Sequence, residues 1–199
     1  MSTLSIKELS HPAGEVIKIA SGKTLDLNSQ GTLVLPTVPH AKMPSGSVLQ
    51  VVSTTKTDVF NTTSTSFIDV TGLSASITPS STSSKILVTV FFNLAISSGY
   101  MAMALLRRDS TAICLGDASA SRQRATAIHK GITNNNVSEF LSVTFLDSPS
   151  TTSATVYKLQ IKSENSGHNV YMGRTPEDAN NAGFGARYPS TITVQEIQG

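Results

Sequence analysis

Val137-Ser138-Glu139-Phe140-Leu141-Ser142-Val143-Thr144-Phe145-Leu146 decides the fold class. Val137, Leu141, Val143 and Phe145 point one way, and Ser138, Ser142 and Thr144 the other. A period of two belongs to a half-buried strand, because successive side chains leave a pleated backbone on opposite faces. Residues 155–162 repeat the pattern, with Tyr157, Leu159 and Ile161 inward and Lys158, Gln160 and Lys162 outward.

Outward from these two segments the same grammar continues. Residues 48–53, 66–70, 73–78, 111–115, 168–172 and 191–197 read as further strands, with Thr71-Gly72 separating the second and third. Residues 85–95 are apolar on both faces, Ile86, Val88, Val90 and Phe92 on one and Leu87 and Phe91 on the other, which predicts a central strand covered on both sides. Residues 100–107 are similar, and Ser97-Ser98-Gly99 predicts a hairpin turn between the two. Only Thr175-Pro176-Glu177-Asp178-Ala179 carries a helix start, Thr175 as N-cap and Pro176 at the first helical position, enough for one turn. About eight to ten short strands joined by Gly, Ser and Asn turns predict an antiparallel β-sandwich, jelly-roll-like, over residues 46–199.

Residues 1–45 read differently. Val16-Ile17-Lys18-Ile19, Thr24-Leu25-Asp26-Leu27 and Thr32-Leu33-Val34-Leu35 are very short extended pieces. Strands that short bury too little surface to stand alone. Ile17, Ile19, Leu25, Leu27, Leu33 and Leu35 recur at period two, so each piece has one apolar edge that needs a partner chain or a host surface. Pro36, Pro39 and Pro44 then predict a stiff extended connector. The expected organisation is all-β, a stem or docking segment over 1–45 followed by the sandwich head.

Composition narrows the function. Charged residues are 14% of the 199, hydrophobic ones 39%, and the net charge is +2. Ser and Thr supply about a quarter of the chain, so the surface is mostly neutral and polar. That is not the dense basic field of a nucleic-acid binder. The longest apolar stretch, residues 101–106, is far below the ~20 residues of a membrane span, so no membrane insertion is expected. Met1-Ser2-Thr3-Leu4-Ser5-Ile6-Lys7 lacks a basic region leading into an apolar core, and no secretory signal is expected.

Chemistry-bearing residues are scattered. His11, His40, His129 and His168 have no metal-ligand spacing and read as solvated or loop histidines. Cys114, the single cysteine, reads as a buried inert thiol within a strand. Gly183-Phe184-Gly185 lacks the rest of a phosphate loop. The 13 acids show no pair suited to glycoside hydrolysis, so no catalytic residue, metal or cofactor is expected. The polar loops stand out instead: Asn134, Asn135 and Asn136; His168 and Asn169; and Asn180, Asn181, Phe184, Arg187 and Tyr188. Amides beside aromatics suit sugar recognition, since amides bond hydroxyls and aromatic faces cover the apolar side of a ring.

Gly46-Ser47-Val48-Leu49-Gln50-Val51-Val52, Thr65-Ser66-Phe67-Ile68-Asp69-Val70-Thr71-Gly72-Leu73, Ile77-Thr78-Pro79-Ser80-Ser81-Thr82-Ser83-Ser84-Lys85-Ile86-Leu87-Val88, Phe145-Leu146-Asp147-Ser148-Pro149 and Ser190-Thr191-Ile192-Thr193-Val194-Gln195-Glu196-Ile197 appear in that order. This series resembles the C-terminal domain of fibre-type virion proteins of tailed, especially marine, bacteriophages. Met1-Ser2-Thr3-Leu4 with Ile19-Ala20-Ser21-Gly22-Lys23-Thr24-Leu25-Asp26-Leu27 is similar to their N-terminal stems. The resemblance implies a non-enzymatic homotrimer with a slender stem and a β-sandwich head, made in the host cytoplasm and built into the virion. Implied partners are other copies of itself, other virion proteins through the N-terminal segment, and a host-surface glycan or protein. A capsid decoration protein, or a carbohydrate-binding or carbohydrate-active sandwich, are the alternatives.

Overall fold

The computed structural model describes residues 38–97, 99–132, 137–183 and 185–199. The expected stem residues Ile17, Ile19, Leu25, Leu27, Leu33 and Leu35 lie outside these, as do Asn134, Asn135, Asn136 and Phe184.

Among the described residues the chain is all-β, with eleven strands after one 3-10 turn at His40–Lys42. They are β1 (Val48–Lys56), β2 (Phe60–Thr62), β3 (Ile68–Ile77), β4 (Lys85–Ile96), β5 (Met101–Arg108), β6 (Thr111–Ile113), β7 (Ala127–Lys130), β8 (Glu139–Asp147), β9 (Thr155–Ser163), β10 (Val170–Met172) and β11 (Ser190–Ile197). The three-residue strands β2, β6 and β10 extend the sheets. The eight longer ones order as β8-β4-β11-β1 and β3-β9-β5-β7, all antiparallel. Between consecutive members of these eight the chain changes sheet every time except from β5 to β7. Two four-stranded sheets wound this way, with first and last strands side by side, are a jelly roll.

Periodicity explains the packing. β9 alternates buried and half-buried residues along its whole length, as its sequence predicts. Ile86, Val88, Val90, Phe92 and Leu94 of β4 and Ile192 and Val194 of β11 share one core with Ala102, Ala104 and Leu106 of β5 and Tyr157, Leu159 and Ile161 of β9. Each large side chain buried there is worth roughly 1.5–3 kcal/mol.

Several local expectations are corrected. β4 and β5 do not pair as a hairpin but lie in opposite sheets. Both carry inward apolar rows, and a crossing lets these face each other, whereas a hairpin would leave them side by side in one sheet. Gly131 lies tight against this crossing. A Cβ there would come 2.2 Å from the Ser97 carbonyl oxygen, and the Gly131 N–H donates to the Tyr100 carbonyl at 2.8 Å while its own carbonyl accepts from Gly99 at 3.0 Å. The second face of β4 is not covered: Leu87 is half-buried and Phe91 exposed.

Thr71-Gly72 does not divide two strands. β3 runs through it, with Gly72 at φ +83° and an irregular register in which residues 69 to 74 of β3 face only residues 160 to 158 of β9. The helical turn at Thr175 is absent, because Asp178 adopts φ +53°, which a right-handed helix cannot accommodate. The connector is not wholly extended: Lys42 N–H bonds the Pro39 carbonyl at 2.8 Å, closing the 3-10 turn.

One end of the sandwich is floored by a polar row. Asp147, Ile86, Glu196 and Gln50 are register neighbours across β8, β4, β11 and β1. Glu196 is fully buried and accepts from Gln50 Nε2 (2.6 Å), Ser80 N–H and Oγ (both 2.6 Å) and Ser84 Oγ (2.7 Å). Burial pushes its carboxyl up, but the hydrogen bonds from Ser80, Gln50 and Ser84 together outweigh that and hold it below the usual range. Asp147 accepts from Arg108 Nη1 at 2.9 and 3.0 Å and from the phenol of Tyr157 at 2.7 Å. Burial and the neighbouring carboxylate push the Tyr157 phenol far up, so it stays a donor.

Candidate functional site

The most elaborate loop joins β10 to β11. It leaves β10 at Gly173, whose φ of +84° turns the chain where a Cβ would come 3.2 Å from the backbone of Asp58 and Val59. Asn93, fully buried in β4, fastens that turn: its Oδ1 accepts from Gly173 N–H at 2.7 Å and its Nδ2 donates to the Arg174 carbonyl at 3.4 Å. At the far side, Arg187 bridges back to Arg174, and Tyr188 N–H donates to the Gly173 carbonyl at 3.1 Å. Residues 174–187 therefore form a closed Ω-type loop, compact and surface-borne.

Charge and amides organise its interior. Asp178 sits between two guanidinium groups, Arg174 at 3.2 Å and Arg187 at 2.8 Å. Arg174 also lies 4.1 Å above the Tyr171 ring, a cation–π contact. Asn181 is spent on the turn: its Oδ1 accepts from Gly183 N–H at 2.7 Å, its carbonyl accepts from Gly185 N–H at 2.6 Å, and its own N–H donates to Ala179 at 2.9 Å. Asn180 is exposed and carries no hydrogen bond among the described residues. The loop encloses an open polar cleft of about 420 Å³ lined by residues 178–182 and 185–187.

The other expected site residues fall elsewhere. Tyr188 turns away from the amides and meets Phe140 edge-on at 4.9 Å, and Phe140 stacks on Phe91 at 5.5 Å. His168 stacks on Tyr100 with ring centroids 3.4 Å apart, and Asn169 accepts from Asn61 at 3.2 Å. Neither residue has a hydrogen bond or ring contact to the 174–187 loop among the described residues. Of the expected recognition residues, the structure brings together Asn180, Asn181 and Arg187. Arg174 and Tyr171 belong with them and were missed, since the contact between them crosses a strand end that shows no period.

Tyr188 leads onto the outer face of the β8-β4-β11-β1 sheet. Three cross-strand rows cover it: Val51, Gln195, Leu87 and Leu146; then Ser53, Thr193, Thr89 and Thr144; then Thr55, Thr191, Phe91 and Ser142. No charge falls within these three rows, but one pleat further along β4 the exposed Lys85, register partner of Ile197, lies on the same face and donates to Ser148 Oγ at 2.8 Å. Ser53 and Thr193 share a hydrogen bond at 2.8 Å, and Thr55 and Thr191 one at 3.2 Å.

The reactive groups are otherwise engaged. His129 is not the solvated histidine expected but buried in β7, with Nδ1 2.7 Å from Glu139 Oε2. Cys114 lies just past β6 rather than in it, at φ +55° and half-buried, and burial pushes its thiol up, away from nucleophilic character. Among the described residues no three His, Cys, Asp or Glu side chains gather as metal ligands, and no helix is long and apolar enough to cross a membrane. Asp178, the acid lining the cleft, is tied to two arginines, and Asp147 is committed to Arg108 and Tyr157.

Replacing Asn93 with Ala tests what holds the loop. It strands a buried N–H at Gly173, a loss of about 1–3 kcal/mol. Trypsin is expected to cut after Arg174 and Arg187 much sooner than in the parent, ahead of cleavage elsewhere. Unchanged kinetics at those two bonds would show that the ion pairs alone hold the loop.

No protein-family model matches the sequence, and no curated protein matches it. Among solved structures the chain is similar to that of the infectious bursal disease virus Gx strain, at 18% identity and a TM-score of 0.40 over 84% of this chain and 42% of that one. It is also similar to the VP2 subviral particle of infectious bursal disease virus, at 15% identity and a TM-score of 0.35 over 83% of this chain and 42% of that one. The chain spans about two fifths of the length of these two. A likeness this loose assigns neither a family nor a role.

Proposed function

We propose that this chain is a non-enzymatic structural protein of a tailed-phage virion: a short trimeric fibre or knob whose loop end contacts the host surface. In this reading residues 1–45 attach the head to the particle. The observation that carries it is the closed 174–187 loop. A jelly-roll head holds it firmly through Asn93, and it presents a polar cleft with an exposed amide at Asn180 and a guanidinium at Arg187. Such groups bond hydroxyl-rich ligands, and loops set on a rigid scaffold are where recognition is usually placed. The buried carboxylates support a structural role, because their lone pairs are taken up by donors of the fold. The ordered resemblance of residues 46–88, 145–149 and 190–197 to phage fibre domains supports the same reading.

Two measurements test it. Immunogold or cryo-EM of purified particles should place the protein at the tail. Fluorescent full-length protein should bind host cells and lose that binding in Asn180→Ala with Arg187→Ala. Placement on the capsid shell with no cell binding would replace the reading with a head-decoration role.

A further inference from the structure

β8 lies at the edge of its sheet and pairs with β4 alone. The pairing runs from Glu139 to Asp147 in unbroken register. Among the described residues the outer edge of β8 carries no backbone hydrogen bond. Its inward row is also short of cover. Leu141, Val143 and Phe145 are half-buried, whereas their register partners on β4, Phe92, Val90 and Val88, are fully buried. The facing edge strand β7 is four residues long and meets β8 at its start, where His129 touches Glu139. A third feature lies in the sequence of the strand. Glu139-Phe140-Leu141-Ser142-Val143-Thr144-Phe145-Leu146-Asp147 keeps its chemistry when reversed about Val143: acid for acid, apolar for apolar, hydroxyl for hydroxyl. Plain alternation does not require this, since the outward row, Phe140, Ser142, Thr144 and Leu146, leaves the polar pattern at both ends symmetrically.

We propose that β8 pairs edge to edge with β8 of a second copy, antiparallel about a two-fold axis through Val143. A two-fold contact sets each residue against the reversed position of the same strand, so only a strand that matches its own reversal satisfies it throughout. Here Phe140 meets Leu146, Leu141 meets Phe145, Ser142 meets Thr144, and Val143 meets its own counterpart. Apolar pairs and hydroxyl pairs across neighbouring strands are among those that stabilise a sheet. An unrelated extended segment added to this edge would make no use of the reversal. The pairing gives the free N–H and C=O groups of the edge about eight main-chain hydrogen bonds. It also lays Leu141, Val143 and Phe145 of one copy beside those of the other, which supplies the cover the inward row lacks. At the ends Glu139 faces Asp147 of the second copy, but each acid already has a partner in its own copy, His129 at 2.7 Å and Arg108 at 2.9 Å. Lys85, which donates to Ser148 at 2.8 Å, lies past the Asp147 end. The inference goes beyond the trimeric reading and does not rest on it: a two-fold contact makes a dimer of single chains or joins two trimers into six.

Sedimentation of the full-length chain, concentrated up to its solubility limit, decides. The parent should hold an even number of chains, two or six. Ser142→Lys with Thr144→Lys, both at exposed outward positions, sets like charges opposite each other twice across the axis. It should weaken association at least about tenfold and halve the mass. Ser142→Lys with Thr144→Glu has similar bulk but sets opposite charges across the axis, and should keep the parent's mass. Ser142→Glu with Thr144→Glu should come apart alone and reassemble when mixed with the double-lysine variant. Circular dichroism checks that each variant is folded, and the double-glutamate variant takes the place of the double-lysine one if the latter does not fold. A parent that stays monomeric or trimeric overturns the contact, the trimer leaving the earlier reading intact. A folded double-lysine variant with the parent's mass overturns it too, as does a lysine–glutamate variant that comes apart like the double-lysine one.

Discussion

Glu196→Ala is expected to cost about 3 kcal/mol or more in denaturant unfolding, because four donors lose one buried carboxylate at once. Ser80 N–H, Ser80 Oγ, Ser84 Oγ and Gln50 Nε2 converge on it within 2.7 Å, and the side chain has no solvent to fall back on. Glu196→Gln should recover little, since its amide would set donors against donors. The pH dependence follows from the same contacts. The folded-state pKa lies below the usual 4.5, so the stabilising contribution is complete above that value and is lost as pH falls through the folded pKa. The parent should therefore lose stability steeply in that acid window, and Glu196→Gln should flatten part of the curve. A cost below about 1 kcal/mol would mean that hydration of the free carboxylate nearly balances the four bonds.

The second large effect belongs to Asp147. Asp147→Ala leaves the Tyr157 phenol without its acceptor in the core and Arg108 without its partner, a loss of about 2–3 kcal/mol given that the Arg108 side chain keeps some solvent, being 24% exposed. Tyr157→Phe alone should cost about 1 kcal/mol. Combined, the two should cost clearly less than their sum, because the phenol that Asp147→Ala strands is gone. Additive losses in the cycle would mean that Arg108, not Tyr157, carries the effect.

The parts of the fold legible in the sequence are those where one strand face meets the core and the other meets water. β9 shows this along its length, Tyr157, Leu159 and Ile161 buried while Lys158, Gln160 and Lys162 turn outward, and its boundaries were read within a residue. β8 was legible for the same reason. β2 and β7 were not: three or four residues are too few to display a period, and the equally short β6 and β10 were placed only inside longer readings of residues 111–115 and 168–172. The crossing from β4 to β5 was misread for a different reason. Ser97-Ser98-Gly99 specifies that the chain turns, but whether the next strand pairs beside β4 or opposite it depends on where distant apolar rows need cover. The recognition loop divides the same way. Its amides were visible, yet Asn181 serves the turn and Tyr188 the sheet face, because closure by Arg174, Asp178 and Arg187 is a meeting of side chains that a linear pattern does not announce.

The placement of β11 between β1 and β4 sets a schedule for synthesis. Ser53 and Thr193, paired in the finished sheet, are 140 positions apart. At about 5–20 residues per second a ribosome needs roughly 10–30 s to bring the second after the first. For most of that interval β1 and β4 have both been made without the strand that lies between them. The sheet thus closes only once β11 has emerged, well after the strands on either side of it. Neighbouring ribosomes on one message hold several such unfinished edges close together. A stop codon at position 190 would therefore leave β1 with no strand beside it in the sheet, while β8, β4, β10 and β2 kept one another.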